Sequence, residues 1–389
     1  MKNTCPIVFV HGVAGWGGDA GLNRALPYWG GDAGSIPKYL GKQGYECYTA
    51  SVGPFSSAWD RACDLYAQLA GTRADYGAAH AAAHGHDRYG ESYEALVPGW
   101  GEGRKIHLVG HSFGGATARL FTQLAEEGSA GERAATPAGE LSPLFGGTLK
   151  GRVVSVTAIA APHNGSTVLE PQVGGSSGVV EFMTGVARAA TDLPLERLYP
   201  MHLEQFGITF KEYLRAPRET DEALDAFIGE SDCARQDLSV DGAAALNGTI
   251  RCQPGVYYFS YAAQMTEADA GGNQVPRKGI LPPLRQVAED MGRRREPFRT
   301  AGGILVDDAW LPNDGQVNVI SALYPFGEPH QDYDPAGPRP GVWQVMPVVE
   351  GRDHFTMTAA VGPWGSARFL REFYLSLAKM LAGLPQANP

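Results

Sequence analysis

Short apolar runs recur along this chain, each closed by glycine or polar residues. Pro6-Ile7-Val8-Phe9-Val10 is continuously apolar, as in a strand buried on both faces. Similar runs at 45–50, 106–109, 152–160, 256–261 and 342–349 predict further strands. Between them lie helical patterns: one closing at Tyr39-Leu40-Gly41, one over 59–69, one opening at Ala116-Thr117-Ala118-Arg119, and a last one over 366–382. Strands alternating with helices predict an α/β fold with a mostly parallel central sheet. The sheet pattern lapses from about 165 to 240. There, 179–186 reads as an amphipathic helix with a wide apolar face, and 193–206 adds apolar and aromatic residues. This stretch is expected to be an inserted helical lid or cap; the alternative is an ordinary helical insertion packed on the core. Residues 262–300 are polar and read as loop with a short helix. No internal repeat or low-complexity linker interrupts the chain, so a single domain with insertions is expected over 1–389.

The strand Ile106-His107-Leu108-Val109 runs into Gly110-His111-Ser112-Phe113-Gly114, a G-x-S-x-G pattern followed by a helix. A nucleophile in this strained strand-to-helix turn needs small neighbours, and the helix N-terminus faces developing negative charge. Ser112 is therefore the candidate nucleophile. The plainer reading is a glycine-rich loop with a surface serine. His11-Gly12-Val13, after the first strand, is placed where an oxyanion hole forms, with backbone N–H groups from Val13 and Phe113. The side chains of both are expected to line the acyl pocket.

A serine needs a base and the base needs a carboxylate, in the chain order Ser, Asp, His. Most of the ten histidines precede Ser112 or follow it too closely. His330 sits in a polar loop with no strand just before it, whereas His354 follows the last predicted strand. Among Asp307, Asp308 and Asp314, the Asn313-Asp314-Gly315 turn can hold a carboxylate by its backbone and project it inward. Asp353 neighbours the base, but adjacent side chains point apart. The expected triad is Ser112, Asp314 and His354, performing two-step acyl transfer on an ester.

Composition narrows the classes. Basic residues number 32 against 42 acidic, a net charge of −10, which argues against a nucleic-acid partner. No apolar run is long enough for a transmembrane segment. No signal peptide is visible, so the expectation is an extracellular mature form without its leader, with a cytoplasmic protein as the alternative. Five scattered cysteines lack a C-x-x-C pair and are expected as small buried residues, with one bridge as the alternative.

Several blocks are similar to the zinc-containing thermoalkalophilic lipases of Gram-positive bacteria. They are the first strand with His11-Gly12, Tyr28-Trp29-Gly30-Gly31, Ser57-Ala58-Trp59-Asp60-Arg61-Ala62-Cys63, and the run from Tyr76 to His86. Ser142-Pro143-Leu144-Phe145, Tyr257-Tyr258-Phe259-Ser260, Asn313-Asp314-Gly315 and Asp353-His354 add to them. The resemblance implies an α/β-hydrolase fold with a large helical lid, acting on carboxylic esters, including triacylglycerols at a lipid–water interface. It implies the same triad. It also implies a zinc ion held by Asp60, His80, His86 and Asp237, within an inserted segment over about 54–100. Helical spacing alone pairs His80 with His84; the resemblance favours His80 and His86. Four protein ligands leave no open position, so the zinc is read as structural.

The chain departs from the family at Gly110 and Phe113, where alanine and glutamine are usual. The acidic residues of the family's calcium site are missing from Phe355-Thr356-Met357-Thr358 and Gly362-Pro363-Trp364, so calcium is not carried over. Other readings are an esterase with an open site for short soluble esters or polyesters, an acyltransferase, and a non-catalytic relative used for binding.

Overall fold

The computed structural model describes residues 3–174, 185–190, 195, 197–229, 232–360 and 367–385. Seven strands make one sheet: β1 Ile7–Val10, β2 Cys47–Ala50, β3 Ile106–His111, β4 Val153–Ile159, β5 Tyr257–Tyr261, β6 His330–Asp332 and β7 Trp343–Val345. Their order is β6-β7-β5-β4-β3-β1-β2, and every neighbouring pair is parallel. The main helices are α1 Ile36–Lys42, α2 Ala58–Ala70, α3 Ala78–His84, α4 Phe113–Glu127, α5 Ala130–Ala135, α6 Pro217–Gly229, α7 Val240–Thr249, α8 Pro282–Gly292 and α9 Ala367–Gly383.

Alternation along β1 divides the core. Val8 and Val10 face one apolar cluster, Ile7 and Phe9 the other. The first cluster packs the sheet against α2 and α4 through Leu65, Leu69, Phe121 and Leu124. The second packs it against α9 through Leu370, Tyr374, Leu377 and Leu381. Burying each such side chain contributes roughly 1.5–3 kcal/mol. With both faces covered, the central strands must be apolar throughout, which is why β1 carries no polar residue.

The differences from the sequence reading lie at the periphery. His330, expected in a loop, opens edge strand β6, where a three-residue polar strand needs only one partner. The run at 342–349 splits: Trp343–Val345 joins the sheet, while Val349–Glu350 pairs with Ala263–Gln264. Residues 262–300 hold the antiparallel pair Thr266–Ala268 and Gln274–Pro276 as well as α8. Most of the helix predicted at 179–186 lies outside the described residues, as do part of 193–206 and Gly362-Pro363-Trp364. Among the described residues, which include all five cysteines, there is no disulfide. None of the described helices is long and apolar enough to cross a membrane.

Candidate active site and metal centre

β3 ends at His111 and α4 begins at Phe113, so Ser112 alone makes the turn. Its φ of +55° and ψ of −130° are strained for a residue with a Cβ. Glycines flank the turn closely in this chain. A Cβ at Gly110 would lie 2.3 Å from the Gly114 carbonyl oxygen, and one at Gly114 would lie 2.2 Å from that of Val10. The Ser112 amide is anchored to the Ile159 carbonyl at 2.9 Å, at the end of β4.

His354 Nδ1 lies 2.9 Å from Asp314 Oδ2. The carboxylate accepts, so Nδ1 carries the proton and Nε2 keeps a lone pair. Asp314 is fixed in turn: its Oδ1 accepts from the amides of Gln316 and Val317 at 2.9 and 2.7 Å. The His354 amide donates to the Asp314 carbonyl at 3.0 Å, tying the two loops together. Asp353 points elsewhere and accepts from the amides of Leu281 and Thr356. Asp307 caps the short turn Asp308–Trp310. Ser112 and His354 are only 5% and 4% exposed, so the site is covered. Tyr199, Met201 and Leu203 share an apolar cluster with Trp16 and Tyr28 beside it.

The loop after β1 runs along the elbow, since a Cβ at Gly12 would lie 2.7 Å from that of Ser112. Phe113 opens α4, so its N–H belongs to the first turn and has no partner within the helix. The loop is held by Arg61, which is fully buried. Its guanidinium donates to the carbonyls of His11 and Gly53 at 2.5 and 2.7 Å and to Thr117 Oγ1 at 2.8 Å. It also lies 5.0 Å over the Phe113 ring. That ring is enclosed beneath Arg61 in the α2–α4 packing, and Val13 is partly buried against both core clusters. Nothing in the sequence marked Arg61 beyond its place in the Trp59-Asp60-Arg61 block.

Next to Arg61, Asp60 belongs to a second constellation. Ligand atoms of Asp60, His80, His86 and Asp232 lie within 4.8 Å of one another. His80 Nε2 is 3.3 Å from Asp60 Oδ1 and 3.2 Å from Asp232 Oδ2, and His86 Nε2 is 3.2 Å from the same Asp232 oxygen. A tetrahedral ion with bonds of about 2.0–2.2 Å sets neighbouring ligand atoms about 3.3–3.6 Å apart. Asp60 Oδ1 and His86 Nε2 are buried and make no hydrogen bond, which suits a cation between them. His86 Nδ1 donates to the Asp87 carbonyl at 2.9 Å, leaving Nε2 as a lone pair that faces the cluster. Gln205 donates to the other Asp60 oxygen at 2.9 Å. Burial opposes a charge on His80, but the neighbouring Asp232 and Asp60 carboxylates outweigh it and push its pKa up to about 9.

One expectation changes here. Asp237 is not in the cluster; Asp232 is. The Asp237 carboxylate instead accepts from the Ala58 amide at 2.7 Å, at the start of α2. A β-bridge between Ser56 and Cys233, with the Ala234 amide on the Phe55 carbonyl, is what lays Asp232 over the histidines. His84 also stands aside, its ring 4.5 Å from that of His80. Gly85 ends α3 in the left-handed conformation at φ +71° and turns His86 back.

A family described as the C-terminal domain of lipase-like proteins matches residues 3–382. The chain belongs to this lipase-like family. It is 35% identical over 362 residues to Lipase 2 of Staphylococcus aureus, covering 90% of this chain and 50% of that protein. A lipase of Staphylococcus epidermidis is 34% identical over 356 residues, again half of its length. The lipase-like chain thus spans about half the length of the curated relatives it matches. Among solved structures, Staphylococcus hyicus lipase superposes with a TM-score of 0.86 at 30% identity, covering 98% of this chain and 96% of that one. EstA from Clostridium botulinum gives 0.84 at 35% identity, covering 100% and 89%. The parallel sheet flanked by helices is therefore the α/β-hydrolase-like architecture of these lipases.

Sequence reasoning also missed a support of the lipase-like chain's histidine–aspartate cluster. Glu132 on α5 is 2% exposed and accepts from the amides of Ala79 and His80 at 3.0 and 2.8 Å. It caps α3 from another element. The lack of a Ser, Thr or Asp cap before α3 was the only signal available, since Gly77 occupies that position.

Proposed function

We propose that this chain is a carboxylic ester hydrolase in which Ser112, His354 and Asp314 act in sequence. The reading rests on one observation above all: His354, oriented by a buried carboxylate at 2.9 Å, packs against His111, the residue before a serine strained at the tip of the elbow. His354 Nε2 takes the Ser112 proton while Oγ attacks the ester carbonyl. The N–H groups of Val13 and Phe113 receive the oxyanion. The imidazolium then protonates the leaving alcohol, and water, activated by the same imidazole, frees the acid.

Asp60, His80, His86 and Asp232 would hold zinc, which would tie the 54–100 segment to the stretch before α7. All four positions are filled by protein, so its part is structural. Calcium finds no support in the sequence. In this reading the described part of the insertion, with Tyr199, Met201 and Leu203, serves as the lid beside the covered serine, within a single domain. We place the action outside the cell on ester substrates, including lipid at a lipid–water interface. The wide family resemblance favours this over a polyester esterase or an acyltransferase.

Initial rates on tributyrin and triolein test the reading. Wild type should hydrolyse at least one, and Ser112→Ala should lose at least about 10³-fold. Full activity in Ser112→Ala would refute it.

A further inference from the structure

The hydrogens along one buried path can be placed by elimination. His111, directly before Ser112, has Nε2 3.0 Å from the His354 carbonyl oxygen. A carbonyl only accepts, so Nε2 carries the proton. Burial, reinforced by nearby His354, holds the His111 ring well below the usual imidazole pKa, so it is neutral. Nδ1 is then a bare lone pair. The Tyr28 hydroxyl, 2.7 Å away, donates to it. The Tyr28 oxygen in turn accepts the Gly12 N–H at 2.9 Å. The direction is thus fixed throughout: Gly12 N–H to Tyr28, Tyr28 O–H to His111, His111 N–H to His354.

The path touches each part of the proposed machinery. Gly12 precedes the oxyanion donor Val13, His111 precedes the nucleophile, and the His354 carbonyl belongs to the base. The rings along it are clamped. Trp16 and Trp29 stand edge-on to Tyr28, each with centroids 5.4 Å away, and the His111 and His354 rings are 4.7 Å apart. A second tie runs in parallel: the Gly30 amide donates at 2.7 Å to the Thr358 carbonyl, in the turn after His354. The Tyr28-Trp29-Gly30-Gly31 block thus grips the base loop at two points.

We propose that Tyr28 and His111 are positioning residues that lock oxyanion loop, nucleophile and base in one register through this directed relay. The inference rests on the triad reading above. Neither side chain exchanges a proton with substrate. Each fixes where a reacting group stands, and a displacement of the order of 1 Å is enough to slow such chemistry strongly.

Tyr28→Phe keeps the ring and removes only the oxygen, leaving the Gly12 N–H and His111 Nδ1 without partners. With a p-nitrophenyl ester, kcat should fall roughly 10- to 100-fold while KM stays within about twofold. The burst of p-nitrophenolate should keep its amplitude of about one per chain but slow by the same factor. In ¹⁵N-histidine-labelled wild type, His111 should show a neutral ring protonated at Nε2. An unchanged kcat, a loss confined to KM, or a His111 proton on Nδ1 would overturn the inference while leaving the triad standing. If Tyr28→Phe fails to fold, the wild-type ¹⁵N signature decides alone. Wild type and Ser112→Ala giving equal rates with no burst would remove the triad itself, and the relay with it.

Discussion

Asp232 and Asp237 offer the same carboxylate on the same short stretch, yet only Asp232 reaches the histidines. This gives a sharp prediction. Asp232→Asn should lose the bound metal, read by elemental analysis of protein purified without added zinc. Asp237→Asn should keep about one ion per chain and weaken only the charged acceptor of the Ala58 amide at the start of α2, costing no more than about 1 kcal/mol by denaturant titration. The reverse pattern would restore the ligand set that the family resemblance implied. Sequence could not choose between the two, because the choice is made by the Ser56–Cys233 bridge, a pairing between stretches far apart in the chain. His86 over His84 was more legible, since a glycine between two histidines already signals a left-handed turn. The triad candidates were the most legible of all, because chain order and turn chemistry act locally.

At the scale of elements, α2 carries two jobs on adjacent residues. Asp60 faces the histidines, and Arg61 holds the loop after β1 and the loop after β2. Arg61→Met keeps much of the volume but strands the buried carbonyls of His11 and Gly53. It should destabilise the chain by about 2–4 kcal/mol by urea titration and lower kcat more than it raises KM. A stable variant with unchanged kcat would show that the oxyanion loop holds itself. The long elements β1, β3, β4, α2, α4 and α9 were readable from periodicity, because each buries a wide apolar face. Edge strand β6 was not, since His330-Gln331-Asp332 has no apolar signal and exists only by pairing with β7. The Tyr28 relay was equally invisible, being built from residues on four separate stretches of the chain.

At the scale of the whole molecule, the core holds several neutral histidines. Burial lowers His107 to about 3 and sets His11, His111 and His163 well below the ordinary value. The sign follows from proton counting. Near pH 5 the unfolded chain binds protons at these sites and the folded chain does not, so their contribution is full above about pH 6.5 and falls as pH drops below it. Each site contributes up to about 1.4 kcal/mol per pH unit over that window. Buried Asp64 and Glu204, raised to about 7, take up protons on folding over the same window and pull the other way. The histidine share is therefore read ring by ring: in ¹⁵N-histidine-labelled protein at about pH 5.5, His11, His107, His111 and His163 should keep neutral rings. A protonated ring at any of them in the folded state would contradict this.

The reactivity of one hydroxyl, that of Ser112, decides the chemistry most directly. Treating the protein with diethyl p-nitrophenyl phosphate and mapping the adduct by peptide mass spectrometry reads it without any choice of ester. The expected result is a single diethylphosphoryl group on Ser112, with labelling slowed at least about 10³-fold in His354→Ala. A label on another residue, or none while ester hydrolysis continues, would contradict the account.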